Sequence, residues 1–422
     1  MQIISSNQFY AGGLSGILQQ QTTLGTLSQQ LSTGNALVDP SAQPVAVAQN
    51  VDLTAQIGQL AGYTQNGSNA QQSLQLESST LQSVSTLVDQ VRQLALQMNN
   101  GTVNGQELQN AGTTMQGYLQ QLVQYGNTQD GQGNYVFAGS RSQTQPFVLQ
   151  ANGQVLYQGD GSQNQLALGP SLNTATGDPG SAVFMNIPGG NGTFSVSASG
   201  GNTGGASLGP GSVNNPSLAQ QVLLVAGTQY HISFSAAPSG GGLDYSVSSG
   251  SGAAFAASGV VASGSFSAGM SIGLPPGASP AIEVPIVGTP AAGDSFTIAG
   301  AQPQSLFATF SSLEQAFSTG NSQASGTSAL RAQAISNAIS SLDQAQTVLL
   351  GTQSSIGARL QQVQAVQTQN SGTTLQLQTQ QASIASINYP QVITQYQQSL
   401  TALQAAESAF AKLQGLSLFK YI

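Results

Sequence analysis

The chain has 422 residues, 39% of them hydrophobic, which is enough for two or three domains with buried cores. Only 5% are charged, six Lys and Arg against 14 Asp and Glu, and a formal charge of −8 without a basic cluster excludes nucleic-acid binding driven by counterion release. With no cysteine, disulfides, thiolate metal ligands and cysteine nucleophiles are excluded together.

The opening stretch "MQIISSNQFYAGG" has neither a cationic n-region nor an apolar h-region, so it does not read as a cleaved signal peptide. No apolar run approaches the roughly 20 residues that span a bilayer, and no membrane role is expected. Leu14, Ile17, Leu24 and Leu31 then fall on a 3-4 spacing interrupted by Gln21 and Ser28, which predicts an amphipathic helix with a thin apolar seam. Residues 74–98 keep the rhythm more strictly through Leu74, Glu77, Leu81, Val84, Val88, Val91, Ala95 and Met98, with Glu77 the polar member. After the turn "NNGTVNG" the spacing returns in Leu108, Ala111, Met115, Tyr118, Leu122 and Tyr125, predicting a second helix packed antiparallel to the first.

From 133 to 170 the period changes, and "GNYVFAGS" and "QPFVLQANGQVLYQGD" read as short strands and hairpins. Between 171 and 303 glycine is dense and Lys and Arg are absent. The runs 182–187, 192–198, 221–236, 243–249 and 295–301 are candidate strands of an inserted β domain. Helical rhythm resumes after Pro303. Ile335, Ala338, Leu342, Ala345, Leu349, Thr352, Ile356, Arg359, Val363 and Val366 form one seam, and Ile393, Tyr396, Leu400, Leu403, Ala406, Phe410 and Leu413 another. Asn388 is expected to cap the last helix, with Pro390 in its first turn.

The expected fold class is α+β: N- and C-terminal helices forming a coiled coil or bundle, with a glycine-rich β domain between. Residues 1–40 with 386–422 are expected to form a terminal assembly domain, 41–170 with 304–385 a helical bundle carrying a hairpin, and 171–303 the β insert. Narrow seams bury too little on lone helices, so the terminal ones need each other or another molecule. The candidate assembly residues are Leu14, Ile17, Leu24, Leu31, Ile393, Tyr396, Leu400, Leu403 and Phe410. The apolar tail "LSLFKYI" adds Leu416, Leu418, Phe419, Tyr421 and Ile422.

Catalytic chemistry finds little support. His231, the one histidine, sits in the alternating stretch "TQYHISF" and reads as a strand residue rather than a triad member. "NTQDGQGNY" places its oxygens out of register for a calcium loop and reads as a turn, and "GDG" at 159–161 lacks the lysine of a phosphate loop. Asp178, Asp244, Glu283 and Asp294 share the β region, but their spacing brings no two together. No enzyme activity, cofactor or metal is expected.

The segments "QLSTGNALVDPSAQPVAVAQ", "VRQLALQMNNGTVNG", "NTQDGQGNYVFAGSRSQTQPF", "GTPAAGDSFTI", "SIGARLQQV" and "LQAAESAFAKLQGLSLFKYI" together resemble the flagellin-like family of flagellar hook-filament junction proteins. Ser41, Ala42 and Gln43 stand where that family usually has acidic residues, and Lys420 where Asp is commoner. The resemblance implies a structural protein of the bacterial flagellum, secreted without a cleaved signal through the flagellar type III channel. It also implies partners: flagellin, another hook-associated protein, further copies in a ring, and an export chaperone. The alternatives are a flagellin filament subunit and, in a different class, a secreted glycan-binding or glycan-active β domain on a helical stalk.

Overall fold

The computed structural model describes residues 6–225, 227–238, 240–251, 256–277, 279–318 and 325–416. The 3-4 apolar spacing becomes the long helices α1 (Ser6–Thr33), α2 (Pro44–Met98), α3 (Gly105–Gly126), α4 (Leu306–Ser318), α5 (Ser325–Ala385) and α6 (Tyr389–Leu416). Between α3 and α4 the chain is mostly strand and turn, so the fold is α+β with a β-rich centre. Two compact units divide the chain: a smaller one within 1–67, 168–171 and 364–422, and a larger one within 68–167 and 172–363.

In the smaller unit α1 and α6 pair, and the first part of α2 faces the last part of α5. Leu53 is buried on the α2 side and Asn370 on the α5 side, and Gln381 Nε2 donates to Thr54 Oγ1 at 2.8 Å. Asn370 Nδ2 also donates to the Leu168 carbonyl at 3.2 Å, tying α5 to a buried leucine. Pro390 lies in the first turn of α6, where a missing N–H costs nothing. As expected, Asn388 precedes that helix: its carbonyl accepts from Val392 N at 3.0 Å and its side chain from Gln391 N at 3.5 Å.

In the larger unit the strict seam of α2 is buried from Leu74 to Ala95, and that of α5 is buried at Ile335, Ala338, Leu342, Ala345, Leu349, Ile356 and Val363. Gln346 Nε2 donates to Ser85 Oγ at 2.6 Å, and the exposed pair Arg92–Asp343 closes at 2.6 Å. A capping box starts α3: Asn104 Oδ1 accepts from Glu107 N at 3.0 Å, and Glu107 Oε2 from Asn104 N at 2.9 Å. This helix packs most closely on α4, not on α2 as its spacing had predicted. The short α4, absent from the sequence reading, offers buried Phe307, Phe310, Leu313 and Phe317, a richer apolar surface than the thin seam of α2.

Two antiparallel strands, β1 (Phe147–Leu149) and β2 (Val155–Tyr157), form the hairpin expected near "QPFVLQANGQVLYQGD". Besides a small pair, Gln165–Gly169 with Leu172–Ala175, two larger sheets are built from β3 (Phe194–Ala198), β4 (Ser207–Leu208), β5 (Thr228–Ala236), β6 (Leu243–Ser251), β7 (Ala256–Ser265), β8 (Ser271–Leu274), β9 (Ile282–Val287) and β10 (Ser295–Gly300). They build one sheet in the order β7-β6-β5-β10-β3 and a second in the order β8-β9-β4. A single apolar core joins the sheets, with Phe194, Ile232, Phe234, Val247, Phe296 and Ile298 from the first meeting Leu208, Ile272, Ile282, Val284 and Ile286 from the second. Three predicted strands differ. "GNYVFAGS" forms turns, with Tyr135 in a single isolated bridge to Gln129. The run 182–187 begins inside a short helix, Gly180–Phe184, entered from Pro179, and 221–225 forms a π-helical turn after Pro216–Ala219. Pro216 stands at the first position of its helix, where its fixed φ is already helical, and Pro179 sits in extended backbone just before the other; apolar composition alone reveals neither start.

Candidate functional site

The geometry of the α1–α6 pair starts at its base. Thr33 ends α1, and Gly34 follows with φ +69°, a left-handed conformation that glycine adopts freely. A bridge pairs Asn35 with Ser386, and Ala36 N donates to the Ala385 carbonyl at 2.7 Å. The exit of α1 is thereby stitched to the entry of α6, and the two helices run antiparallel from that point.

Their shared seam has regular 3-4 spacing. On α1 the inward positions are Tyr10, Gly13, Ile17, Gln20, Leu24, Leu27 and Leu31; on α6 they are Val392, Tyr396, Ser399, Leu403, Ala406 and Phe410. Tyr10 meets Phe410 edge to face at 6.1 Å, next to Gly13, where a β-carbon would stand 3.1 Å from the Phe410 ring. Midway, Gln20 Nε2 donates to the Ser399 carbonyl at 3.2 Å.

Of the predicted assembly residues, Ile17, Leu24, Leu31, Tyr396, Leu403 and Phe410 lie in this seam. Leu14, Ile393 and Leu400 do not: they remain 50%, 44% and 38% exposed. The correction is one of phase. Apolar character alone selects Leu14 and Leu400, but the seam passes through Gly13 and Ser399, one residue and about 100° away. Leu416 ends α6 with its side chain outside the description, and Leu418, Phe419, Tyr421 and Ile422 lie outside the described residues.

The displaced residues form a pattern of their own. Written as heptads with the seam at a and d, Leu14, Ile393 and Leu400 are all e positions, and exposed Leu18 (54%) is the b position beside Leu14. In an antiparallel pair the e positions of both helices face the same side. The pair therefore carries an apolar seam within and an apolar strip along one outer face.

A second cluster lies in the larger unit. Glu77, on the α2 seam, is fully buried, and its Oε1 accepts from Asp178 N at 2.9 Å. The Asp178 carboxylate receives both guanidinium nitrogens of Arg359, Nη1 at 3.0 Å and Nη2 at 2.9 Å, and Gln163 Nε2 at 2.6 Å. Oε2 of Glu77 has no hydrogen-bond partner among the described residues. Burial, and then the neighbouring Asp178 charge, push the Glu77 carboxyl up to about 8, so it is protonated at neutral pH. Sequence spacing had left Asp178 unpaired. Its partners were visible only as polar members of two helical seams.

The remaining candidates are structural. Asp160, of "GDG", accepts from Ser140 N at 2.9 Å, Ser162 N at 3.0 Å and the Ser140 hydroxyl, bonds that hold it at about 2. Just before Ser140, Phe137 packs edge to face on Phe184 at 5.0 Å, and Phe184 clusters in turn with Phe147 and Phe307 at ring separations from 4.8 to 5.9 Å. Asp130 folds its turn back through Gln132 N and Asn134 N, both at 2.8 Å. Asp294 accepts from Thr203 N and Ala291 N, both at 2.8 Å, and His231 sits in β5 opposite Ser248 and Thr297.

Comparison with known proteins agrees with this division into helical ends and β centre. Residues 4–142 match the family model of the bacterial flagellin N-terminal helical region. Flagellar hook-associated protein 3 of Escherichia coli K12 is 30% identical over 183 residues, covering 43% of this chain and 57% of that protein. Its Salmonella typhimurium counterpart is 29% identical over 184 residues, again covering 57% of its length. The crystal structure of hook-associated protein 3 from Legionella pneumophila superposes with a TM-score of 0.70 at 27% identity, covering 79% of this chain and 98% of that one. The chain resembles hook-associated protein 3. FlgL of Xanthomonas campestris gives a TM-score of 0.67 at 25% identity, over 77% of this chain and 98% of its own. The sequence alignments span little more than half of the two hook-associated proteins, whereas the structural ones span nearly all of the solved chains.

Proposed function

We propose that this chain is a structural protein of the bacterial flagellum that joins a hook-associated protein to the flagellin filament, without catalysis. The observation that carries this reading is the exposed strip Leu14, Leu18, Ile393 and Leu400 on a helix pair whose own seam is already filled. An apolar face left over after intramolecular pairing is suited to packing against neighbouring subunits. In this reading those neighbours are flagellin on one side, another hook-associated protein on the other, and further copies around a ring.

In this reading residues 1–40 with 386–422 are the assembly domain, the apolar tail from Leu416 to Ile422 included. Residues 41–170 with 304–385 are the supporting bundle, and 171–303 the β insert. Delivery is by secretion without a cleaved signal, with an export chaperone holding the chain beforehand. A flagellin subunit is the weaker reading, because the relatives that match are junction proteins. The test is a strain lacking this chain. Hooks with flagellin shed into the medium support the junction role, and intact filaments refute it.

A further inference from the structure

The sequence contains five Asn-Gly pairs, at Asn66, Asn100, Asn104, Asn152 and Asn191. Glycine has no β-carbon to shield its nitrogen, so such a pair can cyclise when that nitrogen is free to reach the asparagine side chain. The structure separates the five. Asn66 and Gly67 lie inside α2. Asn104 is locked as the N-cap of α3 by the bond to Glu107 N. Gly153 N donates to the Gln150 carbonyl at 3.0 Å and Gly192 N to the Gly189 carbonyl at 3.0 Å. Asn191 is held further by Thr193 N, Phe194 N and the Pro210 carbonyl.

Asn100 differs on each count. It is exposed in the turn after α2, and Gly101 N makes no hydrogen bond among the described residues. Its Oδ1 accepts from Thr102 N at 3.2 Å, the same i+2 contact that Asn152 and Asn191 make, but without the further bonds that Asn191 has to Phe194 N and the Pro210 carbonyl. Asn100 also lines a cavity of 220 Å³ with Asn99, Ser207, Ser328 and Arg331, and no Asp or Glu lines it.

We propose that Asn100 is a site of spontaneous deamidation whose acidic product faces Arg331. The Gly101 nitrogen bonds to Cγ of Asn100 and gives up its proton, the Cγ–Nδ2 bond breaks, and Nδ2 leaves as ammonia. Water then opens the succinimide to aspartate or isoaspartate. The modification puts a carboxylate into a polar cavity whose one charged wall is a guanidinium, so the turn acquires an ion pair as the protein ages.

The test is peptide mapping of the full chain after prolonged incubation in mildly alkaline buffer, with an isoaspartate assay. Conversion at residue 100, with amides retained at 66, 104, 152 and 191, is expected. Gly101→Ala, which has open space and needs no left-handed backbone, suppresses that conversion. An amide persisting at residue 100, or conversion at 152 or 191 at an equal rate, overturns the site. For the pairing, Asn100→Asp should raise the melting temperature at low salt and lose that gain at high salt or with Arg331→Gln. An equal gain in the Arg331→Gln background overturns the ion pair.

Discussion

Glu77 makes a pH dependence of unusual sign. Its carboxyl is raised from an ordinary value of 4.5 to about 8, so between these pH values the folded state holds a proton that the unfolded state has lost. Stability therefore falls as pH rises from about 4.5 to 8, by at most about 1.4 kcal/mol per pH unit. Glu77→Gln keeps the shape and removes the titration. It should flatten the melting temperature between pH 5 and 8 and raise it at the alkaline end, and thermal melts across that range check this. Asp160 acts oppositely: its stabilisation is present above the ordinary carboxylate range and is lost as pH falls toward about 2. At Gly139, with φ +70°, a β-carbon would stand 2.6 Å from the Asp160 carbonyl oxygen, so Gly139→Ala should cost about 2 kcal/mol in a denaturant melt. Sequence periodicity placed Glu77 and Arg359 in their seams. It could not show why they are there, because Asp178 lies 101 residues from Glu77 and 181 from Arg359, and only the tertiary fold brings them together.

At the level of elements, period was legible and phase was not. The strict seams of α2 and α5 were read correctly because nearly every member is apolar. In α1 and α6 the seam admits Gly13, Gln20 and Ser399, so apolar residues one step away look like better members. The distinction is measurable. Leu27, 8% exposed in the seam, should cost about 1.5–3 kcal/mol when changed to Ser, seen as faster amide exchange along α1 and α6. Leu14→Ser, on the outer strip, should change exchange little, within about 0.5 kcal/mol. The β region was legible as strands but not as a topology, since β3 pairs with β10 across about 100 residues and no local spacing encodes that register.

For the whole molecule, a chain with 5% charged residues has few ion pairs to position it in an assembly, which leaves apolar surface as the principal means of attachment. The smaller unit supplies that surface in two layers: the seam holds α1 to α6, and the strip Leu14, Leu18, Ile393 and Leu400 faces outward. The most direct test is the full chain carrying Leu14→Ser, Leu18→Ser, Ile393→Ser and Leu400→Ser, produced in a strain lacking the native copy and scored for filaments by microscopy. The account predicts a melting curve close to that of the unmodified chain, hooks on the cell, and flagellin lost to the medium; filaments of normal number and length would contradict it.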